Sequence, residues 1–215
     1  MKKLGMFMMF VISMVMAMPT INAQELSKRD IKRIEKEARK DAKRLTKEGW
    51  KVAPGVPSLE RQLILSYTKQ AEVDTQGVEK NIKGEAMSVG EFYDSAYTQA
   101  TVLAKNDIAG KMETFVMGKL QTEVGNGQLS EQQAASMSEI VSNTKYTVAQ
   151  HLGQVSMPVT IYRDLDNGNV QVRVMAFYSK SAALEVAKAE LRKTLRQKAK
   201  ELDLGEKVVD DILDF

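Results

Sequence analysis

The sequence predicts an α+β protein: a small antiparallel sheet, made of one strand and a β-hairpin, packed by helices and preceded by a basic amphipathic helix. Three observations lead there. Between Val155 and Tyr178 two runs alternate apolar and polar residues around a cluster of turn formers. Asn81 to Gly90 breaks helical periodicity with two glycines. Elsewhere apolar residues recur at spacings of three and four, the repeat of a helix with one buried face.

The chain opens with Lys2 and Lys3, an apolar run from Leu4 to Met18, the breaker Pro19, and Ile21-Asn22-Ala23. That series has the form of a secretory signal, with cleavage expected near Ala23. The run is shorter than the roughly 20 apolar residues a membrane-spanning helix needs, so no transmembrane segment is expected after processing. The expected location is therefore periplasmic or secreted. No Cys follows the signal, which excludes a lipidated N-terminal cysteine, and the absence of Cys throughout excludes disulfides. Residues 1–23 contain two of the 31 basic residues and none of the 28 acidic ones, leaving 29 against 28. So balanced a chain argues against a nucleic-acid protein, whose affinity normally rests on a basic surface facing phosphates.

Charge is nevertheless concentrated at the start of the mature chain. Ten Lys or Arg residues stand against five acids between Ser27 and Glu48. Lys32, Arg33, Lys36, Arg39, Lys40, Lys43 and Arg44 form the candidate docking set, while Ile31, Ile34, Ala38, Ala42 and Leu45 draw a thin apolar stripe. Such a helix can lay its seam on the rest of the protein, or serve as an arm that docks a partner or an anionic envelope surface. The thin seam and the breaks after it predict an appendage over residues 24–57 with little burial, and a core over 58–215.

Gly49-Trp50 ends this helix and Pro54-Gly55-Val56-Pro57 forms a linker. Trp50, the single tryptophan, is expected to plug a core edge. Ser58 is a good N-cap, with Glu60 in the first turn and Leu59, Leu63, Ile64, Tyr67 and Ala71 to bury. After the strand, a helix runs to about Val124, where Gly125-Asn126-Gly127 stops it. Its Ala96, Ala100 and Ala104 predict a seam of small side chains on which helix and sheet approach closely, with Asn106-Asp107 on an exposed edge. Ser130 and Gln133 have the spacing of a capping box. In the hairpin, Val155, Met157, Val159 and Ile161 on one strand, and Val170, Val172, Val174 and Ala176 on the other, predict one apolar face per strand. Pro158 predicts an edge position or a bulge, because it cannot donate to a ladder. A last helix from about Ser181 presents Leu184, Ala187, Leu191 and Leu195, with basic residues toward its end.

The stretches GEAMSVGEFYDSAYTQATVLAKNDIAGKM and NVQVRVMAFY resemble the N-terminal-type module shared by the flagellar assembly protein T and the LPP-twenty outer-membrane lipoprotein family. The resemblance spans about Asn81 to Tyr178 and implies no catalytic residues. The chain departs from the lipoproteins in lacking their lipidated Cys. Taken with GWKVAPGVPSLERQL, the mature chain resembles exported envelope proteins more than any enzyme.

The residues themselves point the same way. His151 is the only histidine and stands at a helix end, where a cation is favoured; a His-based metal cluster or a Ser-His relay would need more than one well-placed partner. DLDNG lacks the spacing of a calcium loop, and its twelfth position is Met175 where Glu is needed. Asp210, Asp211 and Asp214 read as a solvated tail, and KVVDDILDF lacks the alternation of a barrel strand. No catalytic residue, metal ligand or cofactor is expected. The predicted function is non-catalytic binding or scaffolding in the cell envelope, with an envelope protein or an anionic envelope surface as partner and the oligomeric state open. Alternatives are a membrane-surface adaptor working through the basic helix, and a hydrolase of envelope polymers built on carboxylates distant in sequence.

Overall fold

A computed structural model describes residues 26–127 and 129–202; the expected signal segment and the acidic tail lie outside the described residues. The described elements are α1 (Lys28–Lys47), α2 (Leu59–Ala71), β1 (Asn81–Gly90), α3 (Tyr93–Gly125), α4 (Glu131–His151), β2 (Ser156–Asp164), β3 (Val170–Ser179) and α5 (Lys180–Leu202). The α+β class is as predicted. The three strands form one antiparallel sheet in the order β1-β3-β2.

β3 is central because both of its faces are apolar. Val172, Val174 and Ala176 turn toward α3, while Met175 and Phe177 enter a second cluster with residues of α1 and α2. The expectation of one apolar face per hairpin strand is thus corrected: alternation in β3 runs between two kinds of core, since helices cover both sides of the sheet. β2 changes face along its length. Val155 and Met157 lie with the α3 cluster, Val159 and Ile161 with the other, and the pairing to β3 shifts between Ser156 and Val159. The extra residue of a bulge inverts side-chain parity, and Pro158 sits in that interval on an edge strand.

The alanine seam is confirmed. Ala96, Ala100 and Ala104 are fully buried, and α3 crosses β1 so closely that a Cβ on Gly84 would lie 2.2 Å from the Ala104 carbonyl oxygen. Gly84 in the strand and the alanines in the helix are therefore two halves of one contact. Gly110 faces α4, where a Cβ would stand 3.3 Å from Lys145 Nζ. Past the sheet, α3 continues into a helical extension in which Val116 and Leu120 pack with Met137, Ile140 and Val141 of α4 and Leu191 and Leu195 of α5. The Ser130–Gln133 capping box that starts α4 is present in both directions.

The largest departure concerns α1. Ile34, Ala38, Ala42 and Leu45 are all buried, and the last three share one cluster with Trp50, Leu59, Leu63, Val159, Ile161 and Phe177. The seam packs on α2 and joins the cluster on the second face of the sheet, so α1 is not the lightly buried appendage that its thin stripe predicted. Alanines make a stripe look thin, yet they let helices approach closely enough to exclude water. Of the stripe only Ile31 remains exposed. Trp50 is 5% exposed and plugs the core edge as expected, with the Arg163 guanidinium 4.7 Å above its ring centre.

Candidate functional site

Burial of its seam fixes which side of α1 faces outward. Arg29, Lys32, Lys36, Lys40, Lys43 and Lys47 recur at spacings of three and four on the face opposite the seam, and all six are exposed. At 1.5 Å per residue this ridge is about 27 Å long. Among the described residues none of the six has a carboxylate partner. The other candidates, Arg33, Arg39 and Arg44, lie on its flanks and are paired: Arg33 with Asp30 at 3.3 Å, Arg39 with Glu60 at 3.2 Å, and Arg44 with Asp41 at 3.1 Å and Glu48 at 3.0 Å. The docking set predicted from sequence therefore divides in two. Lys32, Lys36, Lys40 and Lys43 are free to meet a ligand, while the three arginines hold the helix surface together.

Between α1 and α2 runs a groove of about 490 Å³ lined by Arg33, Glu37, Lys40, Asp41, Tyr67 and Gln70. The Tyr67 hydroxyl donates to Asp41 Oδ2 at 2.6 Å. That bond, helped by Arg44 and opposed by partial burial, holds the Asp41 carboxyl below its usual range. Burial, with the same bond, pushes the Tyr67 hydroxyl up. Glu37 lines the same groove, and the lowered Asp41 carboxyl suits the role of a base or nucleophile, not that of a general acid.

A second cleft, about 380 Å³, lies where β1, α3 and the start of α5 meet, with Lys83, Lys111 and Lys180 on its walls. Lys83 pairs with Glu85 at 2.8 Å, Lys111 pairs with Asp107 at 2.9 Å, and Lys180 Nζ stands 5.6 Å from the centre of the Phe115 ring. Glu85 also accepts from Arg173 Nε at 2.7 Å. Burial would raise the Glu85 carboxyl, but Lys83 and Arg173 outweigh it and hold it low. His151, the last residue of α4, sets Nδ1 2.9 Å from Glu190 Oε1 and so links α4 to α5. The hairpin loop closes as a turn: Gly168 takes φ 82°, and Asn167 Oδ1 accepts from the Asn169 N–H at 3.1 Å. Among the described residues no group of three or more His, Cys, Asp or Glu is placed to hold a metal ion, and no helix is long and apolar enough to cross a membrane.

Several polar residues carry more than the sequence reading gave them. Gln62 is buried, donates to the Pro57 carbonyl at 2.9 Å and accepts from the Thr160 N–H at 2.9 Å, tying α2 to the outer edge of β2. Asp107 accepts the Glu85 N–H at 3.0 Å, so it serves the edge of β1. Gln62 sits between Arg61 and Leu63 in a stretch read for its apolar residues, and no spacing rule flags it. No protein-family model, curated protein or solved structure matches the chain.

Proposed function

We propose that the protein is a non-catalytic binding module of the cell envelope that docks on an anionic surface through the exposed basic ridge of α1. The reading rests on one observation: Arg29, Lys32, Lys36, Lys40, Lys43 and Lys47 form a row with no carboxylate partner among the described residues, on a helix whose opposite face is locked into the core. Because the seam is engaged, α1 cannot roll its apolar side into a bilayer as interfacial helices do. Binding is then peripheral and electrostatic. Each Lys or Arg close to an anionic surface contributes about 1 kcal/mol, an attraction that falls off within a Debye length of roughly 10 Å at 0.1 M salt.

Co-sedimentation of the processed protein with vesicles tests this. Association with phosphatidylglycerol-containing vesicles at low salt, lost on raising salt and absent with purely zwitterionic vesicles, is the expected outcome. Equal binding to both vesicle types, or binding insensitive to salt, would show that the ridge is not the contact.

A further inference from the structure

The two edges of the sheet are treated differently. Along β2 three outward backbone groups in the middle of the strand are occupied: Lys51 exchanges hydrogen bonds with Tyr162 at 2.7 and 3.0 Å, and Gln62 takes the Thr160 N–H. Along β1 the residues with odd numbers face away from β3, as the contacts of their neighbours establish. The Glu85 N–H goes out to Asp107, the Lys83 carbonyl accepts from Lys111 Nζ at 2.6 Å, and the even-numbered Lys80 carbonyl accepts inward from the Lys180 N–H at 2.8 Å. The first half of this edge is thus closed by two side chains of α3.

The second half is open. Among the described residues nothing bonds to the outward N–H and C=O groups of Met87 and Val89. Their side chains are 53% and 43% exposed, and Phe92 just beyond is 66% exposed. Leu103, one helical turn before Asp107 on the same face of α3, is exposed above them. Exposed edges normally carry charge, proline or a cover, and an open edge flanked by apolar side chains is a surface for strand addition.

We propose that the protein self-associates through this half-edge, two copies pairing antiparallel about Ser88 to join their sheets. The length of the free run selects a second copy over a longer foreign strand. With a two-fold at Ser88, Met87 of each copy faces Val89 of the other, so four hydrogen bonds use the N–H and C=O groups of Met87 and Val89 in both copies and need neither Glu85 nor Lys83. A longer strand would meet the side chains of Asp107 and Lys111. The same register makes Met87–Val89 cross-strand apolar pairs. It also places exposed Glu91 opposite Glu85 of the second copy, a like-charge contact offset by the two cations Lys83 and Arg173 that flank Glu85.

The native chain has no Cys, which makes the register directly testable. Opposed residues in a hydrogen-bonded antiparallel pair have Cα atoms about 5.5 Å apart, within disulfide range, whereas Met87 of one copy and Met87 of the other would be too far apart to bridge. Processed protein should sediment as a dimer. An oxidised equimolar mixture of Met87→Cys and Val89→Cys chains should yield a covalent dimer that neither variant yields alone, and Met87→Lys with Val89→Lys should return the protein to a monomer with unchanged circular dichroism. A native protein that stays monomeric at every concentration overturns the proposal. So does a dimer that survives both lysines, or cross-linking of either cysteine variant with itself but not with the other.

Discussion

The Tyr67–Asp41 contact ties α1 to α2 through one hydrogen bond whose worth depends on pH. Asp41 has its folded pKa depressed, so its contribution is present above the ordinary carboxylate range and is lost as pH falls through the folded value. Tyr67→Phe removes the donor and should cost about 1 kcal/mol near neutral pH, some 2–4 °C in Tm. The gap between native and variant should narrow as pH falls below the ordinary carboxylate range toward the depressed folded value, where Asp41 takes up a proton in the native protein as well. Paired thermal scans from pH 7 to pH 3 check this, and a constant gap would mean that the ionised carboxylate is not the partner. The Gly84–Ala104 contact gives a second residue-scale expectation. Gly84→Ala forces a methyl against a helix carbonyl, and overpacking of this kind should cost about 1–3 kcal/mol in denaturant unfolding. Ala104 was legible in the sequence as half of a seam. Its partner was visible only as a glycine in a strand, because which glycine a helix crosses is decided by the sheet register.

At the scale of elements, α1 tests how a helix with little apolar bulk can belong to a core. Leu45 is 2% exposed within a cluster that includes Trp50, Leu63 and Phe177. Leu45→Ala should therefore destabilise by about 2–5 kcal/mol, whereas Leu65→Ala, at a side chain 46% exposed, should cost well under that. Equal, small effects from both would restore α1 to an arm. Helix starts and stops, the strand at Asn81–Gly90 and the hairpin were readable because capping residues, glycines and alternation are local chemistry. The covering of both sheet faces was not, because Met175 and Phe177 alternate with Val174 and Ala176 as apolar against apolar, and period-two patterning carries no signal when both sides are buried. The candidate site was half legible. The basic residues of α1 were evident, but the division between free lysines and paired arginines depends on where the seam docks.

For the whole molecule, the fold presents a ridge of unpaired cations on one side of a sheet whose opposite face is held by α3. The Lys-apolar-Ile-x-Ala series leads us to propose export, for which the intact mass of the protein should correspond to a chain beginning at Gln24. A mass that includes Leu4 to Met18 would contradict an envelope role for the free protein. The central claim is that α1 serves the core with one face and a ligand with the other, so the two roles should separate under substitution. Lys32, Lys36, Lys40 and Lys43 are exposed and touch no carboxylate among the described residues, and replacing all four with Gln removes charge while leaving the buried seam untouched. The measurement is vesicle association of this four-fold variant at low salt, read beside its thermal midpoint. The account predicts association reduced at least tenfold with the midpoint within about 2 °C of the native protein, since exposed, unpaired side chains contribute little to stability. Undiminished association, or loss of association only together with unfolding, would contradict it.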